Sequence, residues 1–138
     1  MKKINDYLVK YILRVSFLGP WILRIMLGVS FCIFGLGKFP LPSEKLISFG
    51  FNEPLATLIP LIEVIAGIGI IVSGFILGLW GILLTRFFGL VLSVFMVFAL
   101  FLAHQEWLIS AELFLNIQIY LFGVSLFFLL YSNNRSIN

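Results

Sequence analysis

The chain has 138 residues, of which 62% are hydrophobic and only 11% are charged. An ordinary soluble domain has about 25% charged residues, so this composition excludes a soluble globular domain, a disordered chain and a nucleic-acid-binding protein. The net charge is only +3, and the single cysteine and single histidine exclude an intrachain disulfide, a CxxC redox pair and a bis-histidine haem site.

The first sixteen residues have the pattern of an amphipathic helix that lies on a membrane surface. Apolar side chains recur at helical spacing on one face, whereas the lysines and other charged residues lie mostly elsewhere. Gly19 and Pro20 then break the pattern, and a proline suits the first turn of a following helix. A cleaved signal peptide is not expected, because the apolar run that follows contains Arg24 and no small-residue cleavage site.

Four apolar segments are predicted to be transmembrane helices, at about residues 17–39, 54–78, 82–103 and 113–131. Pro40 and Pro42 end the first, and a cluster of glycines between residues 74 and 81 marks the turn between the second and the third. The polar stretch before residue 54 is expected to be a surface loop, residues 104–112 the next loop, and 132–138 a polar tail. The predicted fold is all-α: an integral membrane four-helix bundle with an N-terminal interfacial amphipathic helix at residues 1–16.

The basic residues predict the orientation of this bundle. Six lysines or arginines fall on the side of the termini and two on the other side if there are four spans. Basic residues favour the cytoplasmic side, so both termini are expected in the cytoplasm. A three-span model would place the termini on opposite sides and lose this bias.

Each predicted span carries its polar and small residues on one narrow face. Lipid cannot solvate charge, so these faces should meet in a polar seam, and glycines there would let the helix backbones approach closely. The four faces are Arg24, Gly28, Phe31, Gly35 and Lys38; Glu63, Gly67, Ile70 and Gly74; Arg86, Ser93, Val97 and His104; and Glu112, Asn116 and Gly123.

From these faces we select a candidate ligand or proton site and a set of packing residues. The candidate seam residues are Glu63, Arg24, Lys38, His104 and Asn116. The small residues expected at helix contacts are Gly28, Gly35, Gly67 and Gly74. Simpler interpretations also apply: Lys38 and Arg86 can extend to the headgroups, His104 can lie on the surface, and Cys32 can fill apolar space.

Glu63 is the most informative residue, because it lies roughly 13 Å inside its predicted helix at 1.5 Å per residue. A carboxylate at that depth is expected to have a function or an ionic partner. Arg24 is the predicted partner, since the estimated axial gap of ~8 Å is within reach of an arginine on a neighbouring helix. Lys38, nearer the other face of the membrane, is the weaker candidate.

Short motifs along the chain resemble the DoxX family of small bacterial four-helix membrane proteins. They are RIMLG at 24–28, FGLGKF at 34–39, FGFNEP at 49–54, EVIAG at 63–67, Thr85-Arg86, and the segment from Met96 to His104. The resemblance covers roughly residues 17–131. The interval from Glu63 to Arg86 is about two helical turns longer than the family pattern, which weakens any transfer of a role to Thr85 and Arg86.

The resemblance implies an association with redox chemistry, because the family is related to the small DoxD-like subunit of thiosulfate:quinone oxidoreductase. It therefore favours a non-catalytic membrane subunit or anchor of an oxidoreductase complex. No intrinsic cofactor is expected, a quinone is the candidate ligand at the seam, and the partners would be the lipid bilayer and a redox protein. Two alternatives stay open: a small proton-linked transporter or permease acting as a homo-oligomer, and a purely structural membrane protein.

Overall fold

A computed structural model describes residues 17–103 and 112–131, together with Lys10 and Val15. Its regular elements are α-helices, which we number α1 (Leu18–Leu36), α2 (Glu44–Ser48), α3 (Glu53–Val72), α4 (Leu79–Ala103), α5 (Glu112–Leu115) and α6 (Ile117–Leu130). Three of them, α1, α3 and α4, are long and apolar enough to cross a membrane, and α6 is a shorter apolar helix of 14 residues. The all-helical membrane fold is thus confirmed. The predicted interfacial helix lies outside the described residues except for Lys10 and Val15.

Local sequence signals explain where α3 begins and where it stops. The side chain of Asn52 accepts a hydrogen bond from the backbone N–H of Leu55 at 3.2 Å, and Pro54 occupies the first turn. Both features are typical of helix N-termini. Beyond α3 the chain turns through Gly78, whose φ of 79° lies in the left-handed region that glycine adopts without strain. Gly78 directly precedes α4, and α3 itself ends at Val72, six residues before the predicted boundary.

The four longest helices form a closed ring. α1 packs against α3, α3 against α4, α4 against α6, and α6 returns to touch α1. The centre of the ring is filled by large apolar side chains, the most buried of which are Leu27, Phe31, Ile70, Leu92 and Phe128. By contrast, the outer faces leave many large apolar side chains exposed, as at Met26, Ile33, Ile65 and Phe98. An exposed apolar surface of this extent indicates a lipid bilayer environment.

Glycines set the register between the antiparallel helices α1 and α3. A Cβ atom on Gly28 would lie 2.5 Å from the carbonyl oxygen of Gly67, and one on Gly67 would lie 2.7 Å from that of Gly28. One on Gly35 would lie 2.8 Å from the carbonyl oxygen of Pro60. These backbone contacts place Gly28 opposite Gly67, which fixes the levels of all other residues on the two helices.

The predicted inward faces of the third and fourth spans are wrong at most of the described positions, although Ser93 is buried as predicted. In α4 the buried residues include Thr85 and Ser93, whereas Arg86 and Val97 are exposed. The inward face of α4 is therefore rotated by about one residue relative to the predicted face. Thr85 can be buried because its hydroxyl group is hydrogen-bonded, whereas the charged Arg86 stays exposed. In α6 the buried residues are Leu121, Ser125 and Phe128, and the exposed Gly123 has open space around it.

The segment between α1 and α3 is more than the surface loop that its polarity predicts. It contains α2, which packs against α3. Ser43, just before α2, is buried, and its backbone N–H donates to the carbonyl oxygen of Ala56 at 3.2 Å. Leu46 is also buried. The segment thus packs onto the beginning of α3.

Candidate functional site

The buried polar residues fall into two separate centres at opposite ends of the bundle. We call them the Lys38 end, where α1 ends and α3 begins, and the Arg24 end, where α1 and α4 begin and α3 and α6 end. The predicted seam is therefore not continuous along the described bundle, since the buried face of α1 between Arg24 and Lys38 consists of Leu27, Gly28, Phe31 and Gly35.

At the Lys38 end, Lys38 and Glu63 form an ion pair. Lys38 follows α1 in the turn after Gly37, and Glu63 projects from the inward face of α3. The ammonium Nζ of Lys38 donates to both carboxylate oxygens of Glu63. The Glu63 side chain is only 7% exposed and that of Lys38 is 20% exposed. The carboxylate is thus held inside the bundle, and the ammonium keeps some contact with the outside.

At the Arg24 end, the guanidinium of Arg24 is held by oxygen atoms of two other helices. Its Nη1 donates to the carbonyl oxygen of Ile70 at 2.9 Å, to Oγ of Ser73 at 2.8 Å and to Oγ1 of Thr85 at 3.0 Å. Thr85 also donates to Ser73 at 3.1 Å, and Ser73 donates to Ile70 at 2.9 Å. We call these four residues the Arg24 cluster. It ties α1 to the end of α3 and the beginning of α4.

Aromatic rings and a glycine complete the surroundings of Arg24. The guanidinium carbon lies 4.8 Å from the ring centroid of Phe128 on α6 and 6.0 Å from that of Trp21 on α1. These cation–π contacts stabilise a positive charge without neutralising it. A Cβ atom on Gly74 would lie 2.8 Å from Cδ of Arg24, so the glycine leaves room for the arginine.

The predicted pairing of Arg24 with Glu63 is wrong, because the two side chains lean away from each other. Side chains on an α-helix tilt toward the N-terminus of their own helix. Arg24 is level with Ile71 in the register set by Gly28 and leans further toward the end of α3. Glu63 lies about 12 Å back along α3 from that level and leans toward its beginning, where Lys38 lies.

The other predicted site residues do not join either centre in the described part of the chain. Asn116 lies in the break between α5 and α6, where its Nδ2 donates to the carbonyl oxygen of Glu112 at 2.8 Å, so it lies apart from both centres. His104 lies outside the described residues. Cys32 is half-buried, and its Sγ lies 3.8 Å from the carbonyl oxygen of Val64 as a weak donor.

Sequence reasoning missed the roles of Ser73 and Thr85. Thr85 belongs to the Thr85-Arg86 motif, but the motif assigns no role to its hydroxyl group. Ser73, next to the glycine turn, belongs to none of the predicted inward faces. Both are small polar residues near the predicted turn, which is the one signal that could have identified them. A buried hydroxyl needs a hydrogen-bond partner, and an arginine at the same end of the bundle supplies one.

The two centres differ in the chemistry that they offer. The Lys38–Glu63 pair combines a proton donor with an acceptor, whereas the Arg24 cluster offers a fixed positive charge. Among residues 17–103 and 112–131, no group of three His, Cys, Asp or Glu side chains is placed to hold a metal ion.

Comparison of the chain with models of known protein families identifies the family to which it belongs. Residues 19–105 match the DoxX family model, which is more than half of the chain and includes Arg24, Lys38, Glu63 and Thr85. No curated protein and no solved structure matches the chain. The α-helical membrane bundle and this match lead to one identification: the chain is a membrane protein of the DoxX family.

Proposed function

We propose that this chain is a non-catalytic membrane subunit of an oxidoreductase complex, and that the Lys38–Glu63 pair is where a quinone head group binds. The observation that carries the proposal is the ion pair of Lys38 with Glu63, whose carboxylate is buried inside the helix bundle. Ionisable residues within membrane spans are expensive to bury and are typically found at binding or proton-transfer sites. The redox association that the family resemblance implies agrees with this chemistry.

The donor and acceptor groups of the pair fit a quinone carbonyl. The Lys38 ammonium has three N–H bonds, and its hydrogen bonds among the described residues go only to Glu63 Oε1 and Oε2. The third N–H is therefore able to donate to a carbonyl oxygen, and Glu63 can take up or return a proton through the ammonium. A bound quinone would supply the two-electron, two-proton chemistry.

The proton-linked transporter is a second candidate, and the burial of Glu63 is the observation that favours it. Protonation of this carboxylate would break the ion pair and release Lys38, which is the type of change that couples a proton to transport. A solute-driven proton flux in liposomes, lost in Glu63→Gln, would support transport. A redox protein that co-purifies with the chain from native membranes would support the subunit function.

A photoreactive azidoquinone tests the head-group site in chain reconstituted into lipid nanodiscs. We expect labelling near residues 38 and 63 that an excess of unmodified quinone displaces. The double variant Lys38→Met/Glu63→Gln lacks both charges without leaving either one unpaired, so it should fold and bind the probe about tenfold more weakly. Arg86→Gln is the matched control, because Arg86 is exposed and far from this end. Undiminished labelling of the double variant would contradict the proposal.

We propose further that both termini lie in the cytoplasm of a bacterial inner membrane. The six basic residues on the side of the termini and the four ring-forming helices support this orientation. Reporter fusions measure it: a cytoplasmic reporter should be active at residue 138, and a periplasmic reporter should be active within residues 104–112. An active periplasmic reporter at residue 138 would contradict the four-span orientation.

A further inference from the structure

Arg24 carries a positive charge that no described residue neutralises. Its side chain is buried, and its hydrogen bonds go to a carbonyl and two hydroxyl oxygens, all of them neutral. The ion pair within residues 17–103 and 112–131 joins Lys38 to Glu63 at the other end of the bundle. A buried charge without an opposite charge is costly, so a bound anion would stabilise this end.

One edge of the guanidinium is free to bind such an anion. All of the hydrogen bonds to the neutral oxygens are donated by Nη1. Nε and Nη2 donate to no acceptor in the described part of the chain. These two nitrogens form the side edge of arginine, whose parallel N–H bonds match the spacing of two oxygens of a phosphate or carboxylate. A Cβ atom on Gly74 would lie 3.0 Å from Nε, so a side chain at this position would crowd that edge.

The position of Arg24 along the bundle favours a lipid phosphate. Ser73, one of its partners, directly follows α3, and the turn and the start of α4 beyond it expose Phe75, Leu77 and Trp80 by 69%, 87% and 72%. An exposed tryptophan at the end of an apolar helix is typical of the membrane–water interface. Phospholipid phosphates lie at this level, just beyond the hydrocarbon core.

We propose that the Nε–Nη2 edge of Arg24 binds the phosphate of an anionic phospholipid. The bound oxyanion accepts two parallel hydrogen bonds, while Phe128 and Trp21 hold the guanidinium in place. A zwitterionic phospholipid binds more weakly, because its own ammonium competes with Arg24 for the phosphate. The site is independent of the quinone proposal, since it lies at the opposite end of the bundle.

Native mass spectrometry and thermal unfolding in a neutral detergent test the proposal. The purified chain should retain phosphatidylglycerol about tenfold more strongly than phosphatidylcholine, and phosphatidylglycerol should raise its Tm. Arg24→Gln should abolish the preference. Arg86→Gln, which removes an exposed charge near the same end, should keep it. Inorganic phosphate supplies the same oxyanion in free form, and it should have no effect at millimolar concentration.

Two further results keep the test decisive if Arg24→Gln does not fold. Arg24→Lys keeps the charge but loses the two-donor edge, so it should lose most of the preference for phosphatidylglycerol. The preference of the unmodified chain needs no variant at all. Equal retention of both lipids by the unmodified chain, or an undiminished preference in Arg24→Lys, would overturn the proposal. A Tm rise with inorganic phosphate equal to that with lipid would instead identify a free oxyanion as the ligand and overturn the lipid assignment.

Discussion

Lys38→Met should lower the free energy of unfolding by about 2–4 kcal/mol, because it leaves the Glu63 carboxylate buried without its partner. Glu63→Gln should lower the free energy of unfolding by less than Lys38→Met does. The Lys38 side chain that it leaves unpaired is 20% exposed and can turn toward the headgroups, whereas the Glu63 side chain is only 7% exposed. The double variant should be more stable than Lys38→Met alone, since it buries no unpaired charge. Unfolding in mixed detergent micelles measures all three.

Arg86→Gln is the control for the Lys38 and Glu63 variants. Arg86 is exposed on α4, so its replacement should change stability by less than about 0.5 kcal/mol. Strictly additive effects of the Lys38 and Glu63 substitutions would show that the two side chains do not interact. A larger loss in Glu63→Gln than in Lys38→Met would contradict the difference in burial on which the prediction rests.

Gly28→Ala should also destabilise the bundle strongly, by about 2–3 kcal/mol, because its new Cβ has no room. The atom would lie 2.5 Å from the carbonyl oxygen of Gly67, and a helix backbone cannot yield without separating α1 from α3. Gly67→Ala meets the carbonyl oxygen of Gly28 at 2.7 Å and should have a similar effect. Both variants should show lower Tm values and weaker protection of α1 and α3 in hydrogen exchange.

Gly123→Ala is the matched control, because Gly123 is also helical but has no atom within 4 Å of the new Cβ. Alanine favours a helix over glycine, so stability should be unchanged or should rise by up to about 1 kcal/mol. Equal losses in Gly28→Ala and Gly123→Ala would show that a general helix effect, and not the α1–α3 contact, determines the result.

The inward faces of α1 and α3 could be predicted from the sequence because their glycines and charged residues lie on the same face. Arg24, Gly28 and Gly35 are all buried on α1, as are Glu63 and Gly67 on α3. On α4 and α6 the same reasoning selected mostly exposed residues among those described, and Ser93 is the buried exception. There the buried polar groups are hydroxyls, and hydroxyl residues are common on both faces of membrane helices, since they can bond to their own backbone, as Ser93 does to Gly89.

The partner of Glu63 could not be found from helix depth alone. Estimated depths depend on where each span begins, and the actual levels of α1 and α3 are set by the contact of Gly28 with Gly67. The tilt of side chains toward the N-terminus of a helix would have favoured Lys38 over Arg24. The oxygen acceptors that hold Arg24 come from two other helices, and their arrangement depends on tertiary packing.

The most direct test of the account is the distance between Lys38 Nζ and Glu63 Cδ in a lipid bilayer. Solid-state NMR dipolar recoupling on chain labelled with ¹⁵N at lysine Nζ and ¹³C at glutamate Cδ measures it. We predict a coupling that corresponds to an ion-pair distance, within about 4 Å, and that disappears in both Lys38→Met and Glu63→Gln. The absence of such a coupling, or its persistence in either variant, would contradict the ion pair on which the proposed function rests.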